Sequence, residues 1–217
     1  MKIAIDGPAG AGKSTIARKL AQQLGFIYID SGAMYRALTW QALQEGIKPE
    51  DSTALVELAQ SLTIHFENNS IQHIFCNDID VTTEIRTPQV TGAVSQVAAH
   101  PLVRQVMVKK QQELAQFHDI VMDGRDIGEC VLPDADYKFF LTASIETRAE
   151  RRIKELESQG YCFALNNIIE EIAARDRMDA AREVGALKIL SDSIVIDTSN
   201  LTIDQVLAKI ISIIGKD

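Results

Sequence analysis

Lys2-Ile3-Ala4-Ile5-Asp6-Gly7-Pro8-Ala9-Gly10-Ala11-Gly12-Lys13-Ser14-Thr15 is the stretch on which the fold turns. Residues 2–6 are a short apolar run of strand type that passes straight into glycines. Beyond them Ile16, Ala17, Leu20, Ala21 and Leu24 recur at helical spacing, which predicts an amphipathic helix over 13–24. Between the two, Gly7 to Ser14 fits G-x-x-x-x-G-K-[ST] at every position. Glycines let several backbone N–H groups curl toward one anion and leave no Cβ in its way. The helix adds the positive end of its dipole. Lys13 can then reach the β- and γ-phosphates of a nucleotide, Ser14 can ligate Mg²⁺, and Thr15 offers a further hydroxyl near the α-phosphate. A glycine-rich turn that merely precedes Lys-Ser competes with this reading, and the strand before and helix after speak against it.

The same rhythm continues outward. A strand over 26–29, a helix over 33–45 and a capped helix over 53–61 follow. The middle departs from it. Strands at 63–67 and 71–76, joined by Asn68-Asn69-Ser70, and a third short strand at 79–81 predict a small antiparallel insert. Helices over 88–99 and 102–117 are broken at His100-Pro101. Strands at 120–123 and 137–141, helices over 145–159 and 167–180, and a last strand at 194–197 restore the alternation, which implies parallel βαβ units. Ile203, Val206, Leu207, Ile210, Ile211 and Ile214 form one apolar stripe expected to pack a C-terminal helix on the sheet.

The chain has 217 residues, 46% of them hydrophobic, which suits one α/β core with an insertion and excludes disorder as the main state. No apolar run approaches the ~20 residues of a membrane span, and the N-terminus meets an acid and glycines too soon for a signal peptide. Three widely spaced cysteines, Cys76, Cys130 and Cys162, indicate neither a disulfide framework nor a zinc site. Together these imply a cytoplasmic location. A net charge of −8 argues against nucleic-acid binding, which needs a basic footprint.

A phosphate loop identifies nucleotide binding and leaves the reaction open. No Asn is followed by Lys, so the guanine reader of regulatory GTPases is missing, as is a Leu-Ser-Gly-Gly signature of transporter ATPases. A small kinase remains, and it needs cations for a second anion. Asp30-Ser31-Gly32-Ala33-Met34-Tyr35-Arg36 follows a strand and opens a helix, with Ser31 as N-cap and Arg36 about one turn in; a capped helix with a surface arginine reads equally well. Asp123-Gly124-Arg125-Asp126 ends a buried strand, where α/β proteins bind ligands. There Asp123 is placed to order Mg²⁺ water, Arg125 to clamp phosphate, and Asp126 to accept a hydrogen bond, against the alternative of a turn with an internal ion pair. Arg175, Asp179 and Arg182 share one helical face and suit a phosphate and a sugar hydroxyl, although a solvated ion pair fits the spacing too. Arg148, Arg151, Arg152 and Lys154 are either a solvated face or a lid over the nucleotide. The four histidines lack metal-ligand spacing, and Met34 and Trp40 read as core.

Taken in order, these segments resemble the bacterial cytidylate kinases, a branch of the nucleoside-monophosphate kinases. Glu84-Ile85-Arg86-Thr87, Ser95-Gln96-Val97-Ala98-Ala99, Val103-Arg104, Pro133-Asp134-Ala135 and Arg175-Asp176 add to the match, which runs from residue 2 to about 214. The resemblance implies transfer of the ATP γ-phosphoryl group to CMP or dCMP by a monomer. Another small-acceptor kinase, for UMP, AMP or shikimate, and a nucleotide-dependent switch are the alternatives. It implies a five-stranded parallel sheet flanked by helices, with core segments 1–31, 118–145 and 183–217. A monophosphate-binding region, 32–117, would carry the β insert at about 63–84, and a short arginine-rich lid would span about 146–182. Ser95, Arg104 and Asp126 match positions that read cytosine; Arg175 and Asp179 match positions on the sugar and phosphate side. Ser31 lies on the substrate side too, Arg36, Arg125 and Arg182 match the acceptor-phosphate clamp, and Arg148 and Arg152 look like lid arginines for adenine and ATP phosphate. Glu129-Cys130 stands where the family commonly has Thr-Val, and Arg177-Met178 also departs from its pattern.

Overall fold

The first strand is buried on both faces: Ile3 and Ile5 point to one side and Ala4 to the other. A strand without a solvent face needs helices above and below it, and the chain supplies them through parallel crossovers. The computed structural model describes residues 1–68, 72–158 and 160–215. Strands β1 (Lys2–Asp6), β2 (Ile27–Asp30), β6 (Ile120–Gly124), β7 (Tyr137–Thr142) and β8 (Ile194–Asp197) form one sheet in the order β2-β6-β1-β7-β8. Every pairing in it is parallel, with Ile3 opposite Val121 and Tyr137. Strands β3 (Ile64–Asn68), β4 (Gln72–Cys76) and β5 (Ile79–Asp80) make the separate antiparallel insert. The turn expected at Asn69-Ser70 lies outside the described residues.

Helices α1 (Lys13–Leu24) and α8 (Ile203–Ile214) cover one face, where Ile16, Leu20, Val206 and Ile210 meet Ile3, Ile5 and Phe139. Helices α2 (Ser31–Gln44), α3 (Ser52–Ser61), α4 (Pro88–Val97) and α5 (Pro101–Ala115) cover the other, around Met34, Leu38, Leu55, Val103 and Met107. Helices α6 (Ile145–Ser158) and α7 (Leu165–Ala180) pack on each other through a small core of their own, Ala149, Leu156, Ile168 and Ile172. The break at His100-Pro101 arises because proline holds its predecessor extended and then serves as the first helical residue. A reciprocal capping box of Thr202 and Gln205 starts α8.

Three local expectations are corrected. Asp30, and not Ser31, caps α2: its carboxylate accepts from the Ala33 N–H at 2.8 Å. Ser31 is the first helical residue, and its hydroxyl donates to the Asp123 carbonyl. Residues Ile127–Val131, where no element was expected, form one wide π-helical turn. Ile203 leaves the packing stripe of α8 and is exposed, because it sits at the first turn of the helix and lines the cavity at the end of the sheet instead of packing on it. Among the described residues no helix is long and apolar enough to cross a membrane.

Candidate active site

Parallel strands deliver every loop that follows them to one end of the sheet, and the candidate residues gather there. They surround a cavity of about 640 Å³, lined by Ala9 to Thr15 and by Arg36, Arg125, Arg175 and Arg182. Ser31, Ser95, Arg104, Asp123, Asp126, Arg152 and Asp179 also line it.

The glycine loop connects β1 to α1 and ends at Gly12, whose φ of 88° a residue with a side chain rarely adopts. Gly7 and Pro8 do not line the cavity. Gly7 passes so close to β7 that a Cβ there would overlap the Leu141 carbonyl. The Lys13 ammonium folds back on its own loop and donates to the Pro8 carbonyl at 2.8 Å. Burial, then the neighbouring Arg125, pushes its pKa down to about 7, with Arg175 acting the same way and Asp123 opposing them. A buried ammonium among arginines is short of negative charge, and a polyphosphate supplies it.

Beside the loop, Asp123 accepts from the Ser14 hydroxyl at 2.8 Å and from the Tyr28 hydroxyl at 2.8 Å. Burial, then repulsion from Asp30, raises its pKa to about 6 despite Lys13. A carboxylate in deficit of positive charge next to a serine hydroxyl is a hard oxygen donor set that fits Mg²⁺. Asp30 itself is held below the usual carboxylate range: burial opposes this, and Arg36, which donates to it at 2.8 Å, and Arg86 outweigh burial.

Across the cavity one carboxylate serves several cations. Asp179, 1% exposed, accepts from Arg125 Nε at 2.8 Å and from Arg182. Arg175 nearby is pushed down to about 10 by burial and then by Arg125. The Nε atoms of Arg36, Arg175 and Arg182 are buried with no hydrogen-bond partner among the described residues. Buried donors without partners are what a bound anion would satisfy.

A third group lies under α4 and α5. Arg104, 2% exposed, pairs with Asp126, donates to the Ala98 carbonyl at 3.1 Å, and sits 5.4 Å from the centre of the Tyr35 ring. Ser95, on α4, lines the cavity too. The wide turn after Asp126 is held from below: Asp6 accepts from the Ile127 and Gly128 N–H groups, each at 2.8 Å.

Arg148 is corrected. It does not line the cavity; its buried guanidinium donates to the Ala143 and Ala9 carbonyls, both at 3.1 Å, and to Asp176 at 2.6 Å. It braces the glycine loop from behind. Arg151, three residues further along the same helix, takes the cavity side, donating to the Thr198 carbonyl at 2.7 Å. Arg152 lines the cavity while paired with Glu155 at 2.8 Å. Tyr35, Arg86 and Thr198 also line the cavity and were given no role from the sequence. Thr198 was findable, since it directly follows β8 at the carboxyl edge where ligands collect. Tyr35 and Arg86 belong to the Asp30–Arg36 and Glu84–Thr87 motifs, but no spacing rule says whether their side chains turn toward the cavity.

The family model for cytidylate kinase matches residues 3–216. A cytidylate kinase of Bacillus cereus is 49% identical over 216 residues, covering 99% of this chain and 96% of that one. One from Bacillus thuringiensis is 48% identical with the same coverage. Among solved structures, an uncharacterized protein from Eubacterium ventriosum superposes with a TM-score of 0.54 at 14% identity, covering 100% of this chain and 99% of the other. Shikimate kinase from Bacteroides thetaiotaomicron gives 0.50 at 13% identity, covering 99% and 98%, a likeness of fold alone. With its glycine loop, its arginine-lined cavity and a match along its whole length, this chain belongs to the cytidylate kinase family.

Proposed function

We propose that the chain transfers the γ-phosphoryl group of ATP to CMP or dCMP, giving ADP and CDP or dCDP. The observation that carries this is the group of arginines, three of them with buried and unpartnered Nε atoms, that lines one cavity together with the glycine loop. Two anions that repel each other are brought together only where cations from both sides surround them.

The acceptor is itself a phosphate oxygen, so no general base is required, and the protein contributes alignment and charge. The loop N–H groups and Lys13 hold the donor phosphates. Arg36, Arg125, Arg175 and Arg182 hold the acceptor phosphate and meet the charge that spreads over the transferred group. Asp179 orients two of these arginines and offers its remaining acceptor capacity to the sugar. Ser14 and Asp123 would hold Mg²⁺, which when bound supplies positive charge to the donor phosphates. Arg152, with Arg151 in place of Arg148, covers the nucleotide from α6, so residues 146–182 act as the lid over a monophosphate-binding region at 32–117. The enzyme works as a monomer in the cytoplasm.

Cytosine differs from uracil by an amino donor where uracil has a carbonyl. Asp126, fixed by Arg104, presents the acceptor that the amino group needs, with Ser95 beside it. A site built round such a bond rejects an analogue that lacks it. The test is an ADP-release assay with CMP, dCMP, UMP, AMP and shikimate as acceptors. CMP and dCMP are expected to stimulate release strongly over the others. Release that no acceptor stimulates would replace the kinase reading by a switch, and preference for another acceptor would replace the base assignment.

A further inference from the structure

Between α7 and β8 the chain runs through residues 181–193 without helix or strand. This segment is nonetheless tied down. The Leu187 N–H donates to the Asp179 carbonyl at 2.9 Å, and Lys188 pairs with Glu129 at 2.6 Å, three residues past Asp126. Between α7 and these ties, Gly185 is buried at a φ of +67°. A Cβ at Gly185 would overlap Arg104 Nη2 and the Asp126 carboxylate, and would lie 2.7 Å from Arg104 Cζ. These are not the free ends of flexible side chains. Arg104 is held by the Ala98 carbonyl and the Tyr35 ring, and it in turn donates to the Asp126 carboxylate. The backbone at Gly185 is therefore the wall against which the paired side chains rest.

We infer that Gly185 determines selectivity for the acceptor base, by letting the strap of residues 183–188 press bare backbone against the Arg104–Asp126 pair. This rests on the reading that Asp126 reads cytosine. α7 ends at Ala180, so Arg182 is not on the helical face expected for it beside Arg175 and Asp179 but begins this strap, and the phosphate clamp and the base reader share one covalent support. Glu129, a departure from the family pattern, anchors the strap through Lys188.

The test is steady-state kinetics on the full chain with CMP and UMP as acceptors and ATP as donor. Gly185→Ala is expected to lower the CMP-over-UMP ratio of kcat/KM by about tenfold or more, with the KM for ATP unchanged, since a displaced hydrogen-bonding pair no longer favours the amino group. Gly25→Ala is the control: Gly25 has a φ of +71° with nothing within 4 Å of an added Cβ. It carries the same backbone strain and should lose comparable thermal stability while keeping the ratio. Lys188→Gln releases the exposed anchor without touching the pair, and is expected to lower the ratio about two- to fivefold. A folded Gly185→Ala protein with its ratio intact overturns the inference. If that variant does not fold, an intact ratio in Lys188→Gln overturns it. Asp126→Asn separates the two layers: an unchanged ratio there sinks the base assignment itself, whereas a collapsed ratio there beside intact strap variants sinks only the role of Gly185.

Discussion

Replacing Asp179 by Asn keeps the shape of the side chain and removes the one carboxylate that Arg125 and Arg182 share. Burial alone would raise the pKa of Asp179, yet Arg125, Arg182 and Arg175 outweigh it and hold it below the usual carboxylate value. Breaking a buried ion pair by removing one partner costs about 3–5 kcal/mol. The Arg125 side chain keeps 18% of its surface in water, so the lower end, about 3 kcal/mol, is the expected loss. At about 2–4 °C per kcal/mol for a chain of this size, Tm should fall by about 6–12 °C. Because the native pKa is depressed, the contribution is present above about pH 4 and fades as pH falls through the folded value, so the two melting curves should converge in acid. The informative step is to add inorganic phosphate at constant ionic strength. An anion entering the clamp replaces the missing charge, so the variant should gain more than the wild type, with phosphate bound about tenfold more tightly, some 1.4 kcal/mol. Thermal-shift titrations on both proteins measure this. Equal responses to phosphate, or a Tm change below about 2 °C in the absence of ligand, would refute the idea that Asp179 holds together cations meant for an anion.

Two further outcomes are expected. Lys13→Ala should lower kcat by roughly 10³-fold, about 4 kcal/mol, with the fold intact, and near-normal turnover in the ADP-release assay would remove Lys13 from the donor site. Lys13 has a pKa near 7 in the free protein, lowered by burial and Arg125. The phosphates of ATP favour its charged form, so binding should take up nearly one proton at about pH 8 and little near pH 6. Calorimetry in buffers of different ionisation heat reads that uptake directly, and buffer-independent heats at pH 8 would contradict it.

The glycine loop was readable because its chemistry is contiguous: strand, curl, lysine, serine and helix follow one another without a break over residues 2–24, and local backbone physics links them. The parallel sheet was readable for a related reason, since strands buried on both faces leave uninterrupted apolar runs. Local rules failed where a partner came from elsewhere in the chain. Ser31 looks like the cap of α2, but its hydroxyl is taken by the Asp123 carbonyl across the sheet, and Asp30 caps instead. The π turn at Ile127–Val131 has no periodic signature because Asp6, more than a hundred residues earlier, satisfies its N–H groups.

Residue types and their order by themselves determined the phosphate loop, the α/β architecture and the family, because motif spacing and hydrophobic period are properties of short segments. Which arginine does what was decided only in three dimensions. Arg148 and Arg151 belong to one basic run, yet the first braces the glycine loop and the second faces the cavity, because helix rotation is set by the apolar contacts between α6 and α7. Likewise nothing local to Gly185 tells that it abuts Arg104 and Asp126. Charge and hydrogen-bonding energies depend on distance and burial, and these arise only when segments far apart in the chain are packed against one another.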